Sequence, residues 1–147
     1  MHEKTRTVQK SELDTFAREY LASLPSTQGA TVVALSGDLG AGKTTFVKTV
    51  AHILGVLEQV TSPTFTIMKG YETGDKRWSR LLHMDAYRIE ELSELEPLRF
   101  SELLSMPNTI FFIEWAENIQ DKLPENTNWL HFGNAADDEV RTVRIGR

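Results

Sequence analysis

TVVALSGDLGAGKTTF, Thr31–Phe46, is the stretch whose reading decides the fold. Its first six residues are apolar or β-branched with no polar alternation, which predicts a strand buried on both faces. Its end opens a helical stripe of Phe46, Val47, Val50, Ala51 and Leu54, closed by Gly55. Between the two, side chains are given up at Gly37, Gly40 and Gly42. Residues 37–44 match G-x-x-x-x-G-K-[ST] in full, in the strand-to-helix setting that this pattern requires. Glycine lets the main chain come close to a ligand and turn its N–H groups inward as an anion cradle. The helix behind it adds unpaired N-terminal donors and the positive end of its dipole. Gly37, Asp38, Leu39, Gly40, Ala41, Gly42, Lys43, Thr44 and Thr45 are therefore expected to bind a nucleoside triphosphate. Lys43 is expected to reach the β- and γ-phosphates, and the Thr44 hydroxyl to hold Mg²⁺. A glycine-rich turn without a ligand is the competing reading, and the full match in its proper setting disfavours it.

Around this stretch, SELDTFAREYLASLP (residues 11–25) has one apolar helical face, with Ser11 and Asp14 at capping-box spacing and Pro25 past its end. FTIMKGYE, WSRLLHMD and NTIFFIEW read as further strands, the last a central one. IEELSELEPLRFSELL, broken by Pro97, reads as two short helical pieces. AENIQDKL reads as a helix closed by Pro124, and NWLHF and EVRTVRI as a terminal hairpin around GNAADD. Strands alternating with helices predict an α/β fold of P-loop NTPase type. Its central sheet is mostly parallel, flanked by helices, with a C-terminal β-hairpin. In such sheets ligands gather beyond the carboxyl ends of the strands, where Ser36, Asp85 and Glu114 all fall.

The totals limit the partners. The chain has 147 residues, a usual length for one domain, and no repeat or linker divides it, so residues 1–147 are read as one unit. Sixteen Lys and Arg against 21 Asp and Glu leave a net charge of −5, which disfavours autonomous binding to nucleic acid. The absence of cysteine excludes disulfides, thiolate catalysis and thiolate metal sites. MHEKTRTVQK lacks the apolar core of a signal peptide, and no apolar run reaches the ~18 residues of a membrane span. A cytoplasmic protein with no membrane partner is the expectation.

A phosphate loop of this kind works with an acid at the end of a neighbouring apolar strand. RLLHMD offers Asp85 and IFFIEW offers Glu114. The expectation is that Glu114 holds Mg²⁺ together with Thr44, while Asp85 orients the attacking water or supports the metal shell. Lys43, Asp85 and Glu114 form the expected catalytic set. In TSPTFT (residues 61–66), Ser62 and Thr64 are candidates for a switch that senses the γ-phosphate, against a plain turn before a strand. No Asn/Thr-Lys-x-Asp tetrapeptide is present to read guanine, which favours ATP. His83 stands two residues before Asp85 and reads as a satisfied or solvated strand residue rather than a metal ligand. Trp115 reads as core or as an aromatic anchor at the mouth, and Arg88 as a surface residue or a source of transition-state charge.

SGDLGAGKTTF, SPTFTI, HMDAYRI and IEWAE, in that order, closely resemble the TsaE (YjeE) family of small bacterial P-loop ATPases, over most of the chain. The resemblance implies an accessory ATPase that binds and slowly hydrolyses ATP with Mg²⁺. It would act in the threonylcarbamoyl modification of tRNA adenosine through TsaD-like and TsaB-like partners, touching tRNA only indirectly. It carries functional roles to Lys43, Thr44, Asp85 and Glu114. It also likens ELDT to the family's segment at the adenine pocket, which suggests Glu12 or Thr15. Two other readings stand beside it: a P-loop small-molecule kinase, for which no grouped arginine lid is evident, and a nucleotide-binding module without catalysis. Oligomeric state is not legible.

Overall fold

The computed structural model describes residues 4–38, 40–63, 67–133 and 140–146. Its seven strands form one mixed sheet: β1 (Lys4–Gln9), β2 (Thr31–Ser36), β3 (Met68–Glu72), β4 (Arg80–Asp85), β5 (Thr109–Glu114), β6 (Asn128–Gly133) and β7 (Val140–Ile145). The order across the sheet is β1-β7-β6-β2-β5-β4-β3. The centre, β6-β2-β5-β4, is parallel, and the outer pairs β1/β7, β6/β7 and β3/β4 are antiparallel. The fold class is thus the expected one, a mostly parallel α/β core of P-loop type.

Strand alternation sends successive side chains to opposite faces, and the core divides accordingly. Val33, Leu35, Leu81, Ile110, Phe112 and Leu130 face α1 (Leu13–Ser23) and α2 (Lys43–Ile53). Val32, Ala34, Leu82, Met84, Phe111 and Ile113 face the other way, against Phe100 of α3 (Phe100–Leu104), Leu95 and Ile119. Phe46 of α2 centres the first cluster. It is fully buried and lies 5.9 Å from Phe16, 6.0 Å from Tyr20, 6.1 Å from Phe112 and 5.7 Å from Phe132, ring centre to ring centre. Truncating such a residue to Ala costs about 3–5 kcal/mol. Phe46 therefore ties α2, which carries Lys43 and Thr44, to the sheet.

Four local expectations are corrected. β1 was not anticipated. KTRTVQ buries only Val8, so it joins the sheet through its ladder with β7 rather than through an apolar pattern. The capping box, Gln9/Glu12, lies two residues earlier than Ser11/Asp14. Glu12 accepts the Gln9 amide at 3.0 Å across a short 3₁₀ turn, Lys10–Glu12, and α1 follows directly. The segment Ala116–Lys122 is 3₁₀ rather than α-helical, with a break at Ile119 (φ −128°, ψ 24°). Pro97 lies inside the first of the two expected helical pieces, Leu92–Leu98, which is also 3₁₀ and ends at a left-handed Arg99. The terminal hairpin is present as β6/β7, and β6 pairs in parallel with β2 as well, which builds the hairpin into the main sheet. Its connecting residues lie outside those described.

Candidate functional site

β2 delivers the chain to Gly37 at φ +138°, and Gly40 and Gly42 also hold positive φ, +78° and +103°. A side chain at Gly37 is excluded twice: by the backbone angle, and because its Cβ would stand 2.5 Å from the Phe132 carbonyl oxygen of β6. The Ala41 amide closes the turn onto the Asp38 carbonyl at 3.1 Å, and Gly42 caps α2. Leu39, expected in the loop, lies outside the described residues.

Lys43 opens α2 and is 4% exposed. Its ammonium donates to the Gly37 carbonyl and sits 3.9 Å over the Trp115 ring. Burial pushes its pKa below the usual lysine range, against the opposing pull of Glu114, Glu117, Asp85 and Asp38. A lysine held dry within a loop of main-chain donors is prepared for an anionic ligand, whose charge would replace the water it has lost.

The acids arrive from the adjacent strands. Asp85 and Glu114 are directly paired across β4 and β5. The alternation that sends Leu81 and Phe112 toward the helices sends these two toward the start of α2 as well. Glu114 is 5% exposed and accepts the Thr44 hydroxyl at 3.0 Å on Oε1 and 2.8 Å on Oε2. Asp85 is 9% exposed, and its Oδ1 accepts the Tyr87 amide at 2.8 Å. It caps its own turn and also faces the cleft. Trp115 turns the chain away from β5 in a left-handed conformation (φ 56°), and its ring lies 5.0 Å from that of Tyr87.

Together these residues line a cleft of about 240 Å³. Gly40 to Thr45, Ser62, Asp85, Glu114, Trp115 and Arg141 line it. Of the two switch candidates, Ser62 is therefore at the site, and Thr64 lies outside the described residues. A second cleft of about 210 Å³ adjoins the first across Gly42, Thr45 and Arg141. Its other walls are Val8, Gln9, Lys10, Leu13, Phe132 and Val143. Glu12 and Thr15, suggested for adenine, do not line it: Glu12 is taken up by the Gln9 amide, and Thr15 is exposed one turn further along α1. Of two larger cavities, the one of about 460 Å³ beside Tyr20 and Trp129 has no lysine in its lining, and the one of about 490 Å³ along Leu92–Glu102 has Lys122, two serines and two glutamates but no glycine loop.

Two participants were not read from the sequence. Arg141 overlies the loop from β7, with Nη2 3.5 Å from the Gly40 carbonyl. Only the β6/β7 register brings it there, so no sequence signal marks it. His83 is fully buried, with Nε2 2.5 Å from Glu114 Oε2. It is not a solvated strand residue. The alternation H-x-D on an apolar strand does place it on the face of Asp85, and this was the available signal. Arg88 is exposed.

A metal fits this donor set on chemical grounds. Mg²⁺ keeps several waters and takes one or two protein oxygens together with substrate phosphates. The Thr44 hydroxyl, with its proton committed to Glu114, has lone pairs left for such a cation, and Glu114 has acceptor capacity for the cation or its water.

Comparison with known proteins identifies the family. The family model described as "Threonylcarbamoyl adenosine biosynthesis protein TsaE" matches residues 7–143. A protein of Bacillus subtilis named tRNA threonylcarbamoyladenosine biosynthesis protein TsaE is 44% identical over 74% of this chain and 65% of its own. Relatives of the same name in Streptomyces coelicolor (38% identical; 77% of this chain, 75% of the relative) and Aquifex aeolicus (41%; 74% of each) align similarly. The matched stretch thus spans about two thirds to three quarters of these relatives. The crystal structure of YdiB from Bacillus subtilis superposes with a TM-score of 0.67 at 30% identity, covering 98% of this chain and 84% of that one. The chain belongs to the TsaE family of threonylcarbamoyl adenosine biosynthesis proteins.

Proposed function

We propose that the protein is an ATPase that binds ATP with Mg²⁺ across the two clefts and works in the formation of threonylcarbamoyladenosine in tRNA. The observation that carries this reading is the Thr44–Glu114 contact beside the glycine loop; a hydroxyl and a carboxylate together at a helix start support a metal site next to bound phosphates. The loop amides and Lys43 would take the β- and γ-phosphates. The nucleoside end would extend past Gly42 and Thr45 into the cleft beneath Val8 and Phe132. Mg²⁺ would neutralise charge developing on the phosphates. Asp85 lines the same cleft and, while its Oδ1 accepts the Tyr87 amide, has acceptor capacity left to orient a water. Ser62, which lines the same cleft, would sense the γ-phosphate.

With a net charge of −5, the protein suits a role beside the tRNA rather than on it. ATP binding or hydrolysis would drive or reset an assembly with TsaD-like and TsaB-like partners. Among the described residues no helix is long and apolar enough to cross a membrane, consistent with work in the cytoplasm. Calorimetry with ATP and MgCl₂ tests the core of the reading. Wild type should bind, and Lys43→Ala should lose most of the affinity; equal affinity in the two would refute it. Phosphate release, with and without the partner proteins, then separates an ATPase from a passive nucleotide-binding module.

A further inference from the structure

We infer that His83 is a positioning residue for the metal-side acid: its Nε2–H fixes Glu114 in the orientation that serves the cation. This rests on the proposed role of Glu114. The imidazole is fully buried on β4, on the sheet face that turns toward α2. Its Nε2 lies 2.5 Å from Glu114 Oε2. A carboxylate only accepts, so this nitrogen carries the proton.

Donor counting shows what the contact does. Oε2 of Glu114 receives two donors, the Thr44 hydroxyl at 2.8 Å from the helix side and His83 from the sheet side. Oε1 receives only the longer, shared Thr44 contact at 3.0 Å. One oxygen is pinned, and the other keeps acceptor capacity for a cation or a metal-bound water. With Thr44 alone the carboxylate would be held from one end of the cleft and free to rotate about its last bond; His83 supplies the second point.

The other ring nitrogen shows that packing alone does not call for a histidine here. Nδ1 is buried and has no hydrogen-bond partner among the described residues. An aliphatic side chain of similar size would fill the space between Phe112 and the helices without leaving a buried polar atom unmatched. The position bears that defect, and its one hydrogen bond goes to the acid at the site. Partners that orient metal-side ligands commonly alter metal affinity or activity by about 10–100-fold when removed.

The test measures binding rather than turnover. ADP affinity is determined by calorimetry as MgCl₂ is raised from zero (EDTA present), for wild type, His83→Leu and His83→Gln. The Gln amide nitrogen stands near the place of Nε2 and keeps the donor. For His83→Leu, half-saturating Mg²⁺ should rise about 10–100-fold, with ADP affinity in EDTA unchanged. His83→Gln should recover to within a few-fold of wild type. Unchanged Mg²⁺ dependence in folded His83→Leu, or equal loss in both variants, would overturn the inference. Wild-type ADP binding indifferent to Mg²⁺ would instead defeat the metal-site reading itself. Should His83→Leu fail to fold, nitrogen-15 NMR of the wild-type imidazole decides: a proton on Nε2 supports the inference, and a proton on Nδ1 alone sinks it.

Discussion

Asp85 and Glu114 are register partners on neighbouring strands and point to the same sheet face, yet the described hydrogen bonds to their carboxylates differ in reach along the chain. Asp85 is bound locally, by the amide two residues on. Glu114 is bound at long range, by Thr44 seventy residues away in sequence and by His83 thirty-one away. Equivalent positions at the ends of two strands thus carry different mechanical constraints. An acid tied to its own turn is set by local backbone geometry, whereas an acid tied to a helix start and a second strand is set by the whole tertiary structure.

The largest test of this contrast is Glu114→Gln. It removes the charge and keeps the shape, and Mg²⁺-dependent ATP turnover should fall on the order of 100-fold or more with little change in melting temperature. Comparable activity in this variant would mean that Asp85 holds the metal instead. Asp85→Asn leaves an amide oxygen to accept from Tyr87, so turnover should drop only on the order of 10-fold. Asp85→Ala goes further and strands that amide; it should cost about 1 kcal/mol of stability, read by chemical denaturation. The smallest effect is electrostatic. Negative charge favours the protonated amine, and Glu114 is the foremost of the acids pulling upward on Lys43, ahead of Asp85. Glu114→Gln should therefore lower the Lys43 pKa further than Asp85→Asn does, as followed by NMR of the lysine side chain. Because the folded value already lies below the ordinary 10.5, unfolding takes up a proton in that interval. The Lys43 contribution to stability accordingly rises with pH through it, over a wider interval in Glu114→Gln.

What could be read from the sequence follows the same division between local and long-range constraint. The glycine loop, the buried strand before it and the helix after it are written in consecutive residues, so spacing alone located Gly37, Lys43 and Thr44. Asp85 and Glu114 were legible because each ends an apolar run. β1 was not, since an edge strand needs ladder partners more than apolar side chains, and KTRTVQ shows little alternation. The 3₁₀ character of Ala116–Lys122 was hidden for a related reason. The left-handed turn at Trp115 precedes that segment, and its own Asn118 side chain donates to the distant Ala86 carbonyl at 3.0 Å, so its shape depends on partners beyond its own sequence. Arg141 and the His83–Glu114 contact depend on strand register, which no window of sequence contains.

The first glycine of the loop rests against the Phe132 carbonyl of β6, and the ring of that same residue packs on Phe46. The receptor's curvature is therefore stored in the hydrophobic interior. A nucleotide bound as proposed would meet a first glycine whose conformation was already set when the chain folded, leaving more of the contact energy to appear as affinity.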